Sequence, residues 1–104
     1  MKLLTTDLTV KEIEFYKFAI EASFECGHVT IYDIQEDTDC KLTKNQIKGY
    51  VGALTKKGYI RPDCDLHGMF YVYVKFDTVE KWVPTFYGEN LEEDQFDVIN
   101  AFIA

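Results

Sequence analysis

The chain has 104 residues, 47% of them hydrophobic and 15% aromatic, enough for one domain with its own core and too little for two. Eighteen acidic residues against eleven basic ones give a net charge of -7, which argues against a surface uniformly attractive to nucleic acid or to an anionic membrane. The apolar content excludes an intrinsically disordered chain, and no apolar run approaches the ~20 residues that span a bilayer.

At the amino terminus, Lys2, Leu3 and Leu4 are followed by Thr5, Thr6 and Asp7, with no secretory apolar core, so a cytoplasmic location is expected. Thr9 and Glu12 then have the spacing of a capping box, and Val10 to Cys26 reads as a helix ended by Gly27. Ile13, Tyr16, Ile20 and Phe24 form one apolar stripe, and Phe15, Phe18, Ala19, Ala22 and Cys26 a second. A helix apolar on two sides is expected to pack on the core and on something else.

His28 to Thr30 suits a short β-bridge, and Ile31 to Asp37 two helical turns with Ile31 and Ile34 inward. Thr38 to Thr43 reads as a turn. Thr43 and Gln46 form a second capping box, opening a helix with Ile47, Tyr50, Val51 and Leu54 at i, i+3, i+4, i+7 spacing and Gly58 at its end. Tyr59 to Arg61 and Met69 to Phe76 read as hairpin strands, the second with Phe70, Val72, Val74 and Phe76 on one face and Tyr71, Tyr73 and Lys75 on the other. Asp77 and Glu80 are expected to cap a short helix ended by Pro84, and Asn90 with Glu93 to cap a last helix carrying Phe96, Ile99 and Ile103.

Charge is segregated along this order. The stretch Lys41 to Arg61 holds six of the eleven basic residues (Lys41, Lys44, Lys48, Lys56, Lys57 and Arg61) and no acidic one, so all eighteen acids lie elsewhere. Within it, Leu42 to Ile60 (LTKNQIKGYVGALTKKGYI) resembles the recognition helix and first wing strand of a winged helix-turn-helix, closest in style to the MarR-type regulators. The resemblance covers about residues 9–76. It implies an α+β winged helix-turn-helix with a β-hairpin wing, Thr43 capping the recognition helix, Gly58 turning the chain into the wing and Ile60 anchoring the hairpin. Residues 1–104 would be one domain, with 9–76 as winged-helix core and 77–104 as a C-terminal helical extension. Two features depart from the family pattern: Asp37 and Asp39 in a longer turn before the recognition helix, and Asp63 and Asp65 at the wing tip, where an arginine is usual.

The exposed arc of the third helix is expected to hold Asn45, Lys48, Gly49, Gly52 and Lys56, with Lys44 beside its first turn. A cation there opposes the helix macrodipole, which points to an anionic partner. Lys56 and Lys57 near the C-terminal end are favourable without any ligand. Gly49 and Gly52 are costly in a helix interior and permit close approach of another surface, and Asn45 has the chemistry to read adenine. Tyr71 and Tyr73 are able to stack on bases, although hairpin packing explains them as well.

His67 lies near Asp63, Cys64 and Asp65, but a calcium loop counted from Asp63 would need a carboxylate at Val74, so a solvated turn is the better reading. The three cysteines, Cys26, Cys40 and Cys64, are odd in number and widely spaced, consistent with reduced thiols rather than a disulfide framework or a CxxC site. No nucleophile, base and acid assemble from nearby positions and no glycine-rich phosphate loop is present, so no catalysis, cofactor or metal is expected.

The leading expectation is a small DNA-binding transcriptional regulator. Lys41, Lys44 and Lys48 would contact phosphates of double-stranded DNA, Asn45 or Gln46 would read base edges, and Gly49, Gly52 and Lys56 would complete the interface. The doubly apolar first helix and the last helix suggest a homodimer. The alternative is an acidic winged-helix protein-interaction module, of the inhibitor or adaptor kind carried by phages and mobile elements, without productive DNA binding.

Overall fold

A computed structural model describes residues 1–37, 40–63 and 68–104. Their order is α1 (Val10–Cys26), β1 (Val29–Thr30), α2 (Ile31–Gln35), α3 (Lys44–Lys57), β2 (Ile60–Pro62), β3 (Met69–Val74), β4 (Val83–Pro84), a 3-10 turn (Phe86–Gly88) and α4 (Glu93–Ile103). The fold is α+β, with an antiparallel sheet in the order β1-β3-β2 and β4 paired with β3.

Local chemistry sets the helix starts. Reciprocal capping boxes close Thr9 with Glu12, Thr30 with Asp33 and Thr43 with Gln46, satisfying backbone N–H groups that no helical carbonyl reaches. Between α1 and β1 the chain turns at Gly27 (φ 72), where a Cβ would stand 2.6 Å from the Tyr87 ring and 2.7 Å from that of Phe86. The missing side chain therefore lets the 3-10 turn close against the end of α1.

The core lies between α1, α2, α3 and the inner face of the sheet. Phe15, Tyr16, Ala19 and Ile20 of α1 meet Ile34, Ile47, Leu54, Ile60, Phe70, Val72, Val74 and Phe76 there, all buried. The alternation expected in β3 holds: Phe70, Val72 and Val74 point inward while Tyr71 and Tyr73 are half-buried on the other side. The amino-terminal segment extends this layer by a bridge between Leu3 and Phe76.

Residues 77–104 differ from the pattern read in the sequence. No helix forms between Asp77 and Pro84. The Asp77 carboxylate instead accepts from the Lys2 backbone N–H at 2.8 Å, and Val83 and Pro84 become an edge strand, a place where a proline's missing N–H breaks no ladder. The last helix is capped by Glu92 and Gln95 rather than by Asn90 and Glu93, because Glu92 takes the extended backbone that a cap needs (ψ 163). Of its three expected inward residues, Ile99 is buried, whereas Phe96 and Ile103 are half-buried and Gln95 is buried beside them.

This segment packs along part of the first apolar stripe of α1. Phe96 packs on Phe24 (centroids 5.3 Å apart), Phe102 meets Tyr16 edge-on at 6.0 Å, and Lys17 lies 5.2 Å from the centre of the Phe102 ring. A buried hydrogen bond of 2.6 Å joins the Ser23 and Thr85 hydroxyls, and the Thr85 backbone N–H donates to the Val72 carbonyl. These contacts fall on Tyr16 and Phe24 of the first stripe, whereas in the second Phe18 and Ala22 stay half-buried and Cys26 exposed. Gln95, Ser23 and Thr85, polar in sequence, are among the residues that make this closure.

Candidate nucleic-acid interface

α3 is buried along Ile47 and Leu54 and open on the opposite side. Lys44, Asn45, Gln46, Lys48, Gly49, Gly52 and Lys56 are all exposed there, as is Lys41 in the segment that leads into the helix. Lys44, Lys48, Gly52 and Lys56 follow one another at i, i+4 spacing, about 6 Å apart along the axis. Asn45, Gly49, Gly52 and Lys56 (i, i+4, i+7, i+11) run down the middle of the arc. Ideal Cβ atoms at Gly49 and Gly52 would find nothing within 4 Å, so packing among the described residues requires neither glycine.

The exposed side of α3 is poorly arranged for stability. Lys44 and Lys48 are like charges at i, i+4 (about 0.2–0.5 kcal/mol unfavourable), Lys44 opposes the helix dipole, and each glycine costs about 0.8–1.0 kcal/mol relative to alanine. Among the described residues the ion pairs are Lys57–Glu12 and His28–Asp63, so Lys41, Lys44, Lys48 and Lys56 have no carboxylate partner.

The eight expected interface residues do not behave alike. Gln46 is committed locally, its Oε1 accepting from the Thr43 backbone N–H at 2.8 Å, which fixes the orientation of its amide against the cap. Lys41 stands at the mouth of a groove of about 600 Å3 between α1 and the start of α3, beside Leu42, Gln46, Tyr50, Phe18 and Ile103, and off the line of the arc. Asn45, Lys44, Lys48, Gly49, Gly52 and Lys56 share the open side.

Two other cations of the basic stretch serve the fold. Lys57 donates to Glu12 Oε1 at 2.9 Å and to the Asp7 carbonyl at 2.7 Å, tying the end of α3 to the start of α1. Glu12 also accepts from the Thr9 backbone N–H at 2.8 Å, and that bond first, then Lys57, holds its carboxyl below the usual glutamate value. Arg61 lies over the Tyr73 ring, 4.3 Å from its centroid, on the outer side of the hairpin.

At the hairpin, the residues beyond Asp63 that were read as its tip (Cys64, Asp65, Leu66 and His67) lie outside the described residues, as do Thr38 and Asp39 of the turn before α3. Asp63 itself accepts from the Tyr71 hydroxyl at 2.8 Å, and that hydroxyl is 2.7 Å from His28 Nε2. His28 thereby links the start of β1 to the base of the hairpin. Residues 43 positions apart leave no local trace of this; pairing of Val29 with Phe70 brings them side by side.

An acidic cleft of about 250 Å3 between α1 and α2 is lined by Glu21, Glu25, Asp33, Glu36, Asp37 and Cys26. Among the described residues no group of His, Cys, Asp and Glu is arranged to hold a metal ion. Partial burial, then the carboxylates of Asp33 and Glu25, push the Cys26 thiol up, which makes it a poor nucleophile. Cys26 and Cys40 are free thiols. Among the described residues no helix is long and apolar enough to cross a membrane.

Comparison with protein-family models, with curated proteins and with solved structures finds no match to this chain.

Proposed function

We propose that this chain is a small DNA-binding transcriptional regulator of winged helix-turn-helix type, with α2 and α3 as the helix-turn-helix and β2 and β3 as the wing. The observation that carries the reading is the open side of α3: Lys44, Lys48 and Lys56 without an ion-pair partner among the described residues, an asparagine in the first turn, and two glycines with open space where a Cβ would stand. The element order and the strand order β1-β3-β2 support it, since they leave α3 presented beside the hairpin. Lys44 and Lys48 contact phosphates, and Asn45 faces base edges in the major groove, where an asparagine pairs with adenine N6 and N7. Asp63, turned back onto Tyr71, keeps the hairpin base from serving as a phosphate contact.

A second reading, a protein-interaction module, is favoured by one observation. The five carboxylates of the α1–α2 cleft lie on α1 (Glu21, Glu25), on α2 (Asp33) and just after it (Glu36, Asp37), and α2 packs on α3, so phosphates near that side of α3 would meet negative charge.

Titration of labelled random duplex DNA at low and moderate salt separates the two. A regulator binds more weakly as salt rises, and Lys44→Ala and Lys48→Ala each flatten the log–log salt slope by about 0.9. Wild-type protein without salt-dependent binding at low ionic strength would end the DNA reading in favour of the interaction module.

A further inference from the structure

The middle of the open side of α3 carries no side chain. Starting from the proposed DNA reading, on which this step rests, we infer that α3 reads a single base pair, through Asn45, and otherwise lays bare helix backbone at Gly49 and Gly52 against the duplex, with phosphate contacts to Lys44 and Lys48 along one flank.

Base readout needs a side chain that leaves the helix from its outward centre line and still has free donors and acceptors. Asn45, Gly49, Gly52 and Lys56 occupy that line, and the two central positions have no side chain at all. Gln46, which sequence reasoning set beside Asn45 as a reader, has its carbonyl oxygen bound to the Thr43 N–H as part of the cap. Ala53, between the line and the groove side, is half-buried and apolar. Lys44 and Lys48 stand together on the other flank, one turn apart, where a row of phosphates along one strand suits them better than the floor of the groove. Lys56 lies in the last turn, away from the helix N-terminus that carries base contacts in docked recognition helices. Asn45 alone remains with an outward position in the first turn and an amide free at both ends, since it takes part in no hydrogen bond among the described residues.

The glycines make the same arrangement workable. A helix whose outward middle is backbone approaches a groove wall more closely than one carrying side chains there, which strengthens the electrostatic contacts of the flanking lysines while adding no sequence preference. The partner is therefore duplex DNA recognised mainly by its backbone and groove shape, with an adenine favoured at one position.

Selection from a pool of short randomised duplexes, followed by titration of the enriched sequences, tests this. The expected result is one preferred adenine per bound α3, worth about 5- to 150-fold in affinity and lost in Asn45→Ala with the salt slope unchanged. Gly49→Ala and Gly52→Ala, folded and raised in melting temperature, should each weaken binding about fivefold or more. A preferred run of several adjacent bases, a preferred guanine abolished by Lys48→Ala, no preferred position, or glycine variants that bind as tightly as wild type would each overturn the inference while leaving DNA binding in place. Absence of salt-dependent binding to any duplex would instead remove the proposed function itself, and the inference with it.

Discussion

α1 and α3 open with the same device, a threonine cap closed by a carboxylate or amide three residues on, and then meet opposite surroundings. α1 buries Phe15, Tyr16, Ala19, Ile20 and Ser23 against α3, the sheet and the C-terminal segment, and even Glu12 is closed over by Lys57. α3 buries Ile47 and Leu54, half-buries Tyr50 and Val51 beside them, and leaves its opposite side to solvent. Each residue of α1 that touches the core is suited to stability, whereas the outward residues of α3 are cations in repulsive spacing and helix-weakening glycines. Where stability is forgone without any internal reason, the surface is the natural place to look for a partner.

The contrast is sharpest if α1 is damaged first. Phe15→Ala removes a buried ring stacked on Tyr50 at 5.3 Å, and a loss of about 3–5 kcal/mol is expected in urea unfolding. A loss below about 1 kcal/mol would mean that α1 is not the centre of the core.

Glycines on the two sides of the molecule should respond with opposite signs. At Gly88 (φ 71) a Cβ would stand 2.3 Å from the Phe96 ring, so Gly88→Ala is expected to destabilise by about 2–4 kcal/mol through backbone strain and overpacking. Gly49→Ala and Gly52→Ala, on the open side of α3, are expected to stabilise by about 0.8–1.0 kcal/mol each. Thermal melting of the three variants reads both signs, and destabilisation at Gly49 or Gly52 would show that α3 is not open there.

The smallest effect concerns the link between the two helices. The Glu12 carboxyl is held below its unfolded value, so its contribution is complete above the ordinary glutamate range near pH ~4.3 and is lost as pH falls through the folded value. Glu12→Gln should therefore cost about 0.5–1 kcal/mol at neutral pH and flatten the acid limb of the stability curve. An acid limb as steep as that of wild type would assign the acid sensitivity to other carboxylates.

Both long capped helices are legible in the sequence, because a threonine with Glu or Gln three residues on, followed by apolar residues at helical spacing, is a local signal. The open side of α3 followed from the same periodicity, since residues away from Ile47, Tyr50, Val51 and Leu54 have nowhere to point but outward. The division of labour among its polar residues was not legible. Gln46 reads as a base-reading candidate or as a cap with equal ease until its Oε1 is seen on the Thr43 N–H. Lys57 looks like Lys56 until Glu12 arrives from 45 residues away.

What the amino-acid order determined by itself was therefore the part governed by neighbours a few residues apart: caps, helix faces, the alternation of β3 and the clustering of positive charge from Lys41 to Arg61. Tertiary structure decided the rest. Residues 77–104 carry an Asp77–Glu80 pair that suits a cap, yet pairing of Val83 and Pro84 with β3 draws that stretch into the sheet, and burial of Phe96 and Phe102 against α1 brings α4 home within the chain. The bridge from His28 through Tyr71 to Asp63 exists only because β1 and β3 pair in one register. Contacts of this kind are set by which distant surfaces can be buried together, a choice in which the free energy of closing a long loop and covering apolar area outweighs a local preference of a few tenths of a kcal/mol.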